Sequence, residues 1–275
     1  MPKAKSNNLE IEYETFGDLS STTLLLISAL GTQMIGWDQE FCKLLVDRGF
    51  YVIRFDNRDV GLSTKVSTPY LLEDMADDAI GLLDALNINK AHICGASMGA
   101  AITQIIAMRH PSRVLTITSI MGSTGNPDLP QSTPEALEAL SEPPPTEREA
   151  YIKYSIKRRR VFHGNSFPFN EKNAEIYAAT SYDRCFSPQG TTRQYQAIIA
   201  SANRKSALSS VKIPTLVIHG TEDQLIPVEG GKDTAEAIPG ADLLIIDGMG
   251  HTLLCPETWL QIVDGITANA TMINK

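Results

Sequence analysis

Apolar and polar positions along this chain follow two rhythms. Leu9-Glu10-Ile11-Glu12-Tyr13-Glu14-Thr15-Phe16 alternates residue by residue, the period of a half-exposed antiparallel strand. Three mainly apolar runs follow, Leu24–Ser28, Tyr51–Phe55 and Ala91–Cys94. Short runs of this kind predict strands buried on both faces, the mark of a parallel sheet covered by helices. Helical patterns separate them, over Asp38–Arg48 and Leu71–Leu86. The alternation continues through Val114–Met121, a helical region, then Thr215–His219, Thr234–Ile238, Asp242–Ile246 and a terminal helix over Thr258–Ala268. Repeated βαβ order predicts an α/β fold with a doubly wound, mostly parallel sheet.

One stretch breaks the rhythm. Between about Gly122 and Val211 no strong strand pattern occurs, and the segment opens on Gly125-Asn126-Pro127-Asp128-Leu129-Pro130 and contains Pro143-Pro144-Pro145. Helix-like patterns cover Glu147–Phe162, Asn173–Tyr182 and Thr191–Asn203. The α/β pattern resumes afterwards without a linker. The expected organisation is therefore a core of residues 1–121 and 212–275, interrupted by an inserted helical cap over 122–211.

The length of 275 residues suits one large α/β domain carrying an insertion, or two small domains; the pattern resuming without a linker favours the insertion. A net charge of −8, without a broad basic stretch, argues against nucleic acid and anionic membranes as partners. The one basic cluster, Lys157-Arg158-Arg159-Arg160, falls in a helical pattern and is expected to form a solvated helix face. The first eight residues are polar, with no apolar region of a signal peptide, and no apolar run approaches bilayer length. Cys42, Cys94, Cys185 and Cys255 are scattered, without the spacing of a zinc site or disulfide framework. Together these features predict a cytoplasmic protein with free thiols.

The chemistry concentrates in Gly95-Ala96-Ser97-Met98-Gly99, a G-x-S-x-G sequence between a predicted strand and the helical pattern Ala100–Met108. A strand–turn–helix in this position is a nucleophile elbow. Glycines occupy flanking positions too tight for side chains, and the strained backbone presents the Ser97 hydroxyl. A serine needs a general base. Of the five histidines, His92 lies at the far side of the elbow strand, His110 ends the elbow helix, and His163 falls in the insertion. His219 ends a strand, where a structural role is expected. His251 follows the strand Asp242–Ile246 within Gly248-Met249-Gly250-His251, at the carboxyl end of the sheet where ligands bind. The base is thus expected to be His251. Asp223, after the preceding strand, is the expected acid, with Glu222 and Asp128 as rivals; the order Ser97, Asp223, His251 suits the fold.

With these residues in hand, the chain resembles the α/β-hydrolase superfamily. The resemblance rests on Gly36-Trp37-Asp38, Asp56–Ser63, the elbow, Pro214–Gly220 with Asp223, and Gly250-His251. It is most similar to small carboxylesterases and aclacinomycin methylesterase-like hydrolases. The family's turn after the fourth strand usually reads D-x-R-G-x-G-x-S; here Asp59 stands at the glycine. The resemblance implies an oxyanion hole of two backbone amides, Leu30 and Met98, although Ser28-Ala29 stands where His-Gly is common.

The implied activity is hydrolysis of a small-molecule carboxylic ester through a Ser-Asp-His triad and an acyl-enzyme. No cofactor or metal is expected, since there is no H-E-x-x-H cluster or Walker A loop. Leu30, Ala96, Met98 and Leu254 offer no fixed cation beside the site, which points to neutral esters of short to medium chain. Phe162, Phe167, Phe169, Tyr177, Tyr182 and Phe186 are candidates for lining an apolar pocket. Lactone, thioester and carbon–carbon cleavage or perhydrolysis remain open alternatives, as does a receptor that keeps the triad.

Overall fold

Asn7 and Asn8 adopt positive φ, 48° and 67°, as in the two-residue turns that match strand twist. They join β1 (Lys3–Ser6) to β2 (Leu9–Phe16) in an antiparallel hairpin. The computed structural model describes residues 2–272. β1 has no counterpart among the strands expected from the hydrophobic pattern. It is short and polar, and only Ala4 and Ser6 face inward.

The remaining strands are β3 (Thr22–Ile27), β4 (Phe50–Phe55), β5 (Ala91–Ala96), β6 (Val114–Ile120), β7 (Thr215–Gly220) and β8 (Asp242–Ile246). The eight form one sheet in the order β1-β2-β4-β3-β5-β6-β7-β8, parallel from β4 to β8. The interior strands are apolar on both sides because helices cover both. On one face, α1 (Gln39–Val46) and the terminal α10 (Pro256–Thr271) pack with Trp37, Phe41, Leu45, Trp259 and Ile262. On the other lie α2 (Leu72–Ala85), α3 (Met98–Arg109) and the end of α9 (Glu229–Ala237). The sequence segment Thr234–Ile238 falls mostly in α9.

The order of the strands creates the site. From β3 the chain steps outward to β4, then crosses back over β3 to β5 and continues the other way. Beyond the carboxyl ends of β3 and β5 the connecting loops diverge and leave a crevice, the usual ligand position in such sheets.

Between β6 and β7 lie five helices, α4 (Pro134–Ser141), α5 (Arg148–His163), α6 (Glu171–Arg184), α7 (Pro188–Ala200) and α8 (Lys205–Leu208). α5, α6 and α7 occupy the three stretches with helical patterning; α4 and α8 are shorter. Near the end of the segment, Ala197, Leu208 and Val211 bury their side chains in the core beneath the sheet. Two buried carboxylates and a buried glutamine tie the segment down. Arg184 of α6 pairs with Asp56 at 2.7 Å, and Gln33 donates to the Ser181 and Cys185 carbonyls. Arg193 of α7 makes a two-pronged pair with Asp59, both contacts 2.8 Å.

Asp59 is where the chain departs from the family's glycine. Its φ is 75°, a left-handed conformation that aspartate tolerates better than most residues. Its fully buried carboxylate accepts from Val66 N–H as well as Arg193. Removing Arg193 leaves a buried charge without its partner, a loss of about 3 kcal/mol or more. In urea unfolding, the free energy of unfolding of Arg193→Ala is expected to fall by that amount, with a lower midpoint. Asp59→Gly/Arg193→Ala should be more stable than Arg193→Ala alone, since glycine accepts the backbone and removes the orphaned charge. A double variant no more stable than the single one refutes this account of the pair.

Candidate active site

The elbow is built from steric exclusion. A Cβ on Gly95 would lie 2.0 Å from the Gly99 carbonyl oxygen, and one on Gly99 would lie 2.2 Å from the Ile27 carbonyl oxygen. Strand, helix and the neighbouring β3 thus approach closer than side chains allow. Between them Ser97 is held at φ 56° and ψ −116°, a sparsely populated region that costs about 1–3 kcal/mol. Its N–H donates to the Ile120 carbonyl at 2.9 Å, which fixes the turn to β6. α3 begins at the next residue, so its N-terminal amides and the positive end of its dipole lie beside the hydroxyl.

His251 arrives on the loop after β8. That loop passes directly beneath the end of α5: a Cβ on Gly250 would meet the Phe162 and His163 carbonyl oxygens at 2.4 Å. His251 Nε2 is 2.9 Å from Ser97 Oγ, and its Nδ1 is 2.7 Å from Asp223 Oδ2. A carboxylate only accepts, so Nδ1 carries the proton. In the neutral ring Nε2 is then an acceptor aimed at the serine hydroxyl.

Asp223 is locked in place by three donors: Oδ1 accepts from the Leu225 and Ile226 amides at 3.0 and 2.8 Å, and Oδ2 from His251, with His219 Nε2 lying 3.3 Å from Oδ2. Burial alone would raise its pKa. The charge of His251, the nearness of His219 and the hydrogen bond from His251 outweigh burial and hold the carboxyl well below its ordinary value. His219 is fully buried and donates Nε2–H to the Ile226 carbonyl at 2.7 Å, so its ring steadies the turn that presents the carboxylate.

The rivals lie elsewhere. Glu222 accepts from the Asn165 and Ser166 amides and from Ser166 Oγ, pinning the loop after α5. Asp128 is exposed in the loop before α4. His92 bonds Thr116 at 2.8 Å and His110 bonds Asp77 at 2.7 Å, both away from Ser97.

The Leu30 and Met98 amides donate to no acceptor among the described residues, and both residues line the cavity above Ser97. The loop that carries Leu30 is fixed from its neighbours. Gly31 N–H donates to Gln194 Oε1 at 2.9 Å, and the same buried side chain donates to the Arg58 carbonyl at 2.8 Å. Met34 N–H donates to Asp56 Oδ1 at 2.8 Å. Gln194 was not singled out from sequence, Asp56 entered only as part of a motif, and His219 only as a strand-end residue with an expected structural role. The only signal for the first two is position, since Gln194 sits in a polar helix pattern and Asp56 in a family turn.

Ser97 and His251 open into a cavity of about 830 Å³. Of the six aromatic candidates, Phe162, Tyr177 and Phe186 line it, joined by Tyr151, Tyr154 and Tyr195. Phe169 instead stacks against His163, Tyr182 packs on Tyr151 and Phe186, and Phe167 lies against Gly248.

Two expectations need correction. The site is not free of fixed cations, because Arg158, Arg159 and Arg204 all lie in the cavity wall. The basic cluster is not one solvated face either: the turn of α5 sends Lys157 and Arg160 outward and the two arginines between them inward. The premise for neutral substrates therefore fails. Burial draws the Arg204 guanidinium down to about 10.

Residues 22–257 match the family described as alpha/beta hydrolase fold. The chain is 28% identical to rhodomycin D methylesterase DnrP of Streptomyces peucetius, over 92% of this chain and 93% of that protein. It is 27% identical to 3-oxoadipate enol-lactonase 2 of Acinetobacter baylyi, over 88% and 86%. Among solved structures, a carboxylesterase of the thaumarchaeon Nitrososphaera gargenis superposes with a TM-score of 0.77 at 25% identity, over 98% of this chain and 99% of that one.

The contacts of Asp223 predict a measurable asymmetry. Asp223→Asn should slow covalent labelling of Ser97 by a fluorophosphonate by about three to four orders of magnitude, because His251 loses its tautomer and its counter-charge. Asp128→Asn should label at the parent rate. Equal rates for the two variants, read by intact-mass spectrometry, overturn the assignment.

Proposed function

The chain belongs to the α/β-hydrolase fold family, and on that premise we propose that it is a serine carboxylic ester hydrolase working through an acyl-enzyme. The observation that carries this reading is the continuous path from Ser97 Oγ through His251 to Asp223, at 2.9 and 2.7 Å, beside two unengaged backbone amides.

Ser97 Oγ attacks the ester carbonyl while its proton passes to His251 Nε2. The carbonyl oxygen becomes an oxyanion between the Leu30 and Met98 N–H groups, each such donor being worth about 3–4 kcal/mol of barrier. Asp223 stays ionised and stabilises the imidazolium. The intermediate collapses, the carbon–oxygen bond to the leaving alkoxide breaks, and His251 returns the proton to it. Water then gives a proton to His251 and its oxygen to the acyl carbon. A second collapse frees the acid, and the proton goes back to Ser97.

Residues 122–211 act in this reading as a cap whose aromatic wall selects the acyl or alcohol part. A lactone is a cyclic ester, and the likeness to an enol-lactonase supports it as a second substrate form cleaved by the same steps.

Release of p-nitrophenol from p-nitrophenyl butyrate is expected to run past one equivalent per protein. Ser97→Ala should lower the rate by more than about four orders of magnitude. A burst of one equivalent followed by silence across acyl lengths would instead favour a receptor that retains the triad.

A further inference from the structure

Helix α5 divides its basic run by side. Lys157 and Arg160 are exposed and pair with Glu142 and Glu171. Arg158 and Arg159 are half-buried in the cavity wall, and among the described residues neither has a carboxylate within 4.0 Å. Arg159 stacks on Tyr177 at 3.9 Å and makes one long hydrogen bond, 3.4 Å, to Ser155 Oγ. Arg158 makes no hydrogen bond to any described residue, and its Nε is buried without an acceptor. Its guanidinium lies over Phe162 at 5.5 Å, and Phe162 meets the His251 ring edge-on at 6.1 Å. Two ring contacts therefore separate this cation from the proposed base.

A guanidinium is always charged and presents five donors in a planar fork that fits a carboxylate. Leaving such donors buried without acceptors is costly, and a stacked aromatic face offsets only part of the loss. Arg204, the third arginine of the wall, shows the contrast. It is 8% exposed and its donors reach Gln104, Ser201, Ala202 and Ser123, so it is a tie within the protein. Glu142 is the cavity's one acidic lining residue among those described, and Lys157 engages it at 3.7 Å. The net charge of −8 disfavours anions at large. A local cation is thus the feature that would admit one.

We infer that Arg158, flanked by Arg159, is a subsite for a carboxylate carried by the substrate at a distance from the bond that is cleaved. The bond cleaved rests on the ester-hydrolase reading; the anion subsite rests on the cavity alone. Phe162 packs between the two ends, so a chain of several methylenes joins the scissile carbonyl to the carboxylate.

The test compares the p-nitrophenyl monoester of adipic acid with the corresponding adipamic ester, whose terminal amide is neutral and isosteric. The parent protein should prefer the carboxylate by kcat/KM, mainly through KM. Arg158→Gln should reduce that ratio by about tenfold to a hundredfold, the worth of a charge-assisted hydrogen bond. Arg158→Lys should keep part of it, and Arg160→Gln, which removes a cation from the outer side of the same helix, should keep all of it. No preference in the parent, or a preference that survives Arg158→Gln, overturns the subsite.

A second measurement separates the two readings. Adipate is titrated calorimetrically into Ser97→Ala and into Ser97→Ala/Arg158→Gln. If neither ester is cleaved, the hydrolase reading fails, yet at least tenfold weaker adipate binding in the double variant still supports the subsite. Equal binding to the two variants overturns it. Should Arg158→Gln fail to fold, judged by its melting transition, Arg158→Lys takes its place in both measurements, with a several-fold loss expected and no loss counting against the subsite.

Discussion

The structure depends on keeping one residue, Ser97, in a backbone conformation that its own side chain opposes. A positive φ at a serine is unfavourable in isolation, so it persists only where the surroundings leave no alternative. Here the constraint comes from three directions. Gly95 and Gly99 let strand, helix and β3 close to distances that exclude a Cβ. The Ser97 amide is claimed by β6, and α3 is buried over nearly its whole length. The elbow cannot relax without separating β5 from both neighbours. The sheet, with helices on both faces, therefore serves as a clamp as well as a scaffold.

Around that clamp, buried carboxylates perform the positioning. Asp223, Asp56 and Asp59 are each nearly inaccessible, and each is surrounded by donors from different parts of the chain. A buried charge with one partner is precarious; with several fixed amides and a cation it becomes a point at which loops are registered to one another. Asp223 registers the loop after β7 to His251. Asp56 joins the loop after β3 to α6, and Asp59 joins the turn after β4 to α7. Gln194 then carries the constraint from α7 to Gly31, next to the Leu30 amide. The helices between β6 and β7 are thus coupled to the candidate oxyanion loop through polar contacts. A shift of α7 would be felt at that loop.

The sheet was legible because its strands are buried on both faces and read as apolar runs. The elbow was legible because sterics leave glycine as the residue that fits. His251 and Asp223 followed from strand ends and chain order, and the geometry brings His251 within hydrogen-bond distance of Ser97 and Asp223 within hydrogen-bond distance of His251. β1 escaped because a short polar edge strand has no hydrophobic signature. Gln194 escaped for a different reason: its contacts join residues distant in sequence, and no local period encodes them.

The arginines of α5 explain the remaining failure. Four consecutive basic residues in a helix spread over the full circumference, since each step turns about 100°. A run cannot form a single face, whatever its composition. Some members must point inward wherever the helix lies against a wall, and α5 lies across the mouth of the crevice. Which ones point inward depends on the helix's rotation about its axis, set here by Ile152, Tyr154 and Ser155 packing inward. The charge of the cavity is therefore a consequence of tertiary packing. It belongs to the same class of information as the Gln194 bridge, and reading it required the positions of helices whose placement no strand pattern dictates.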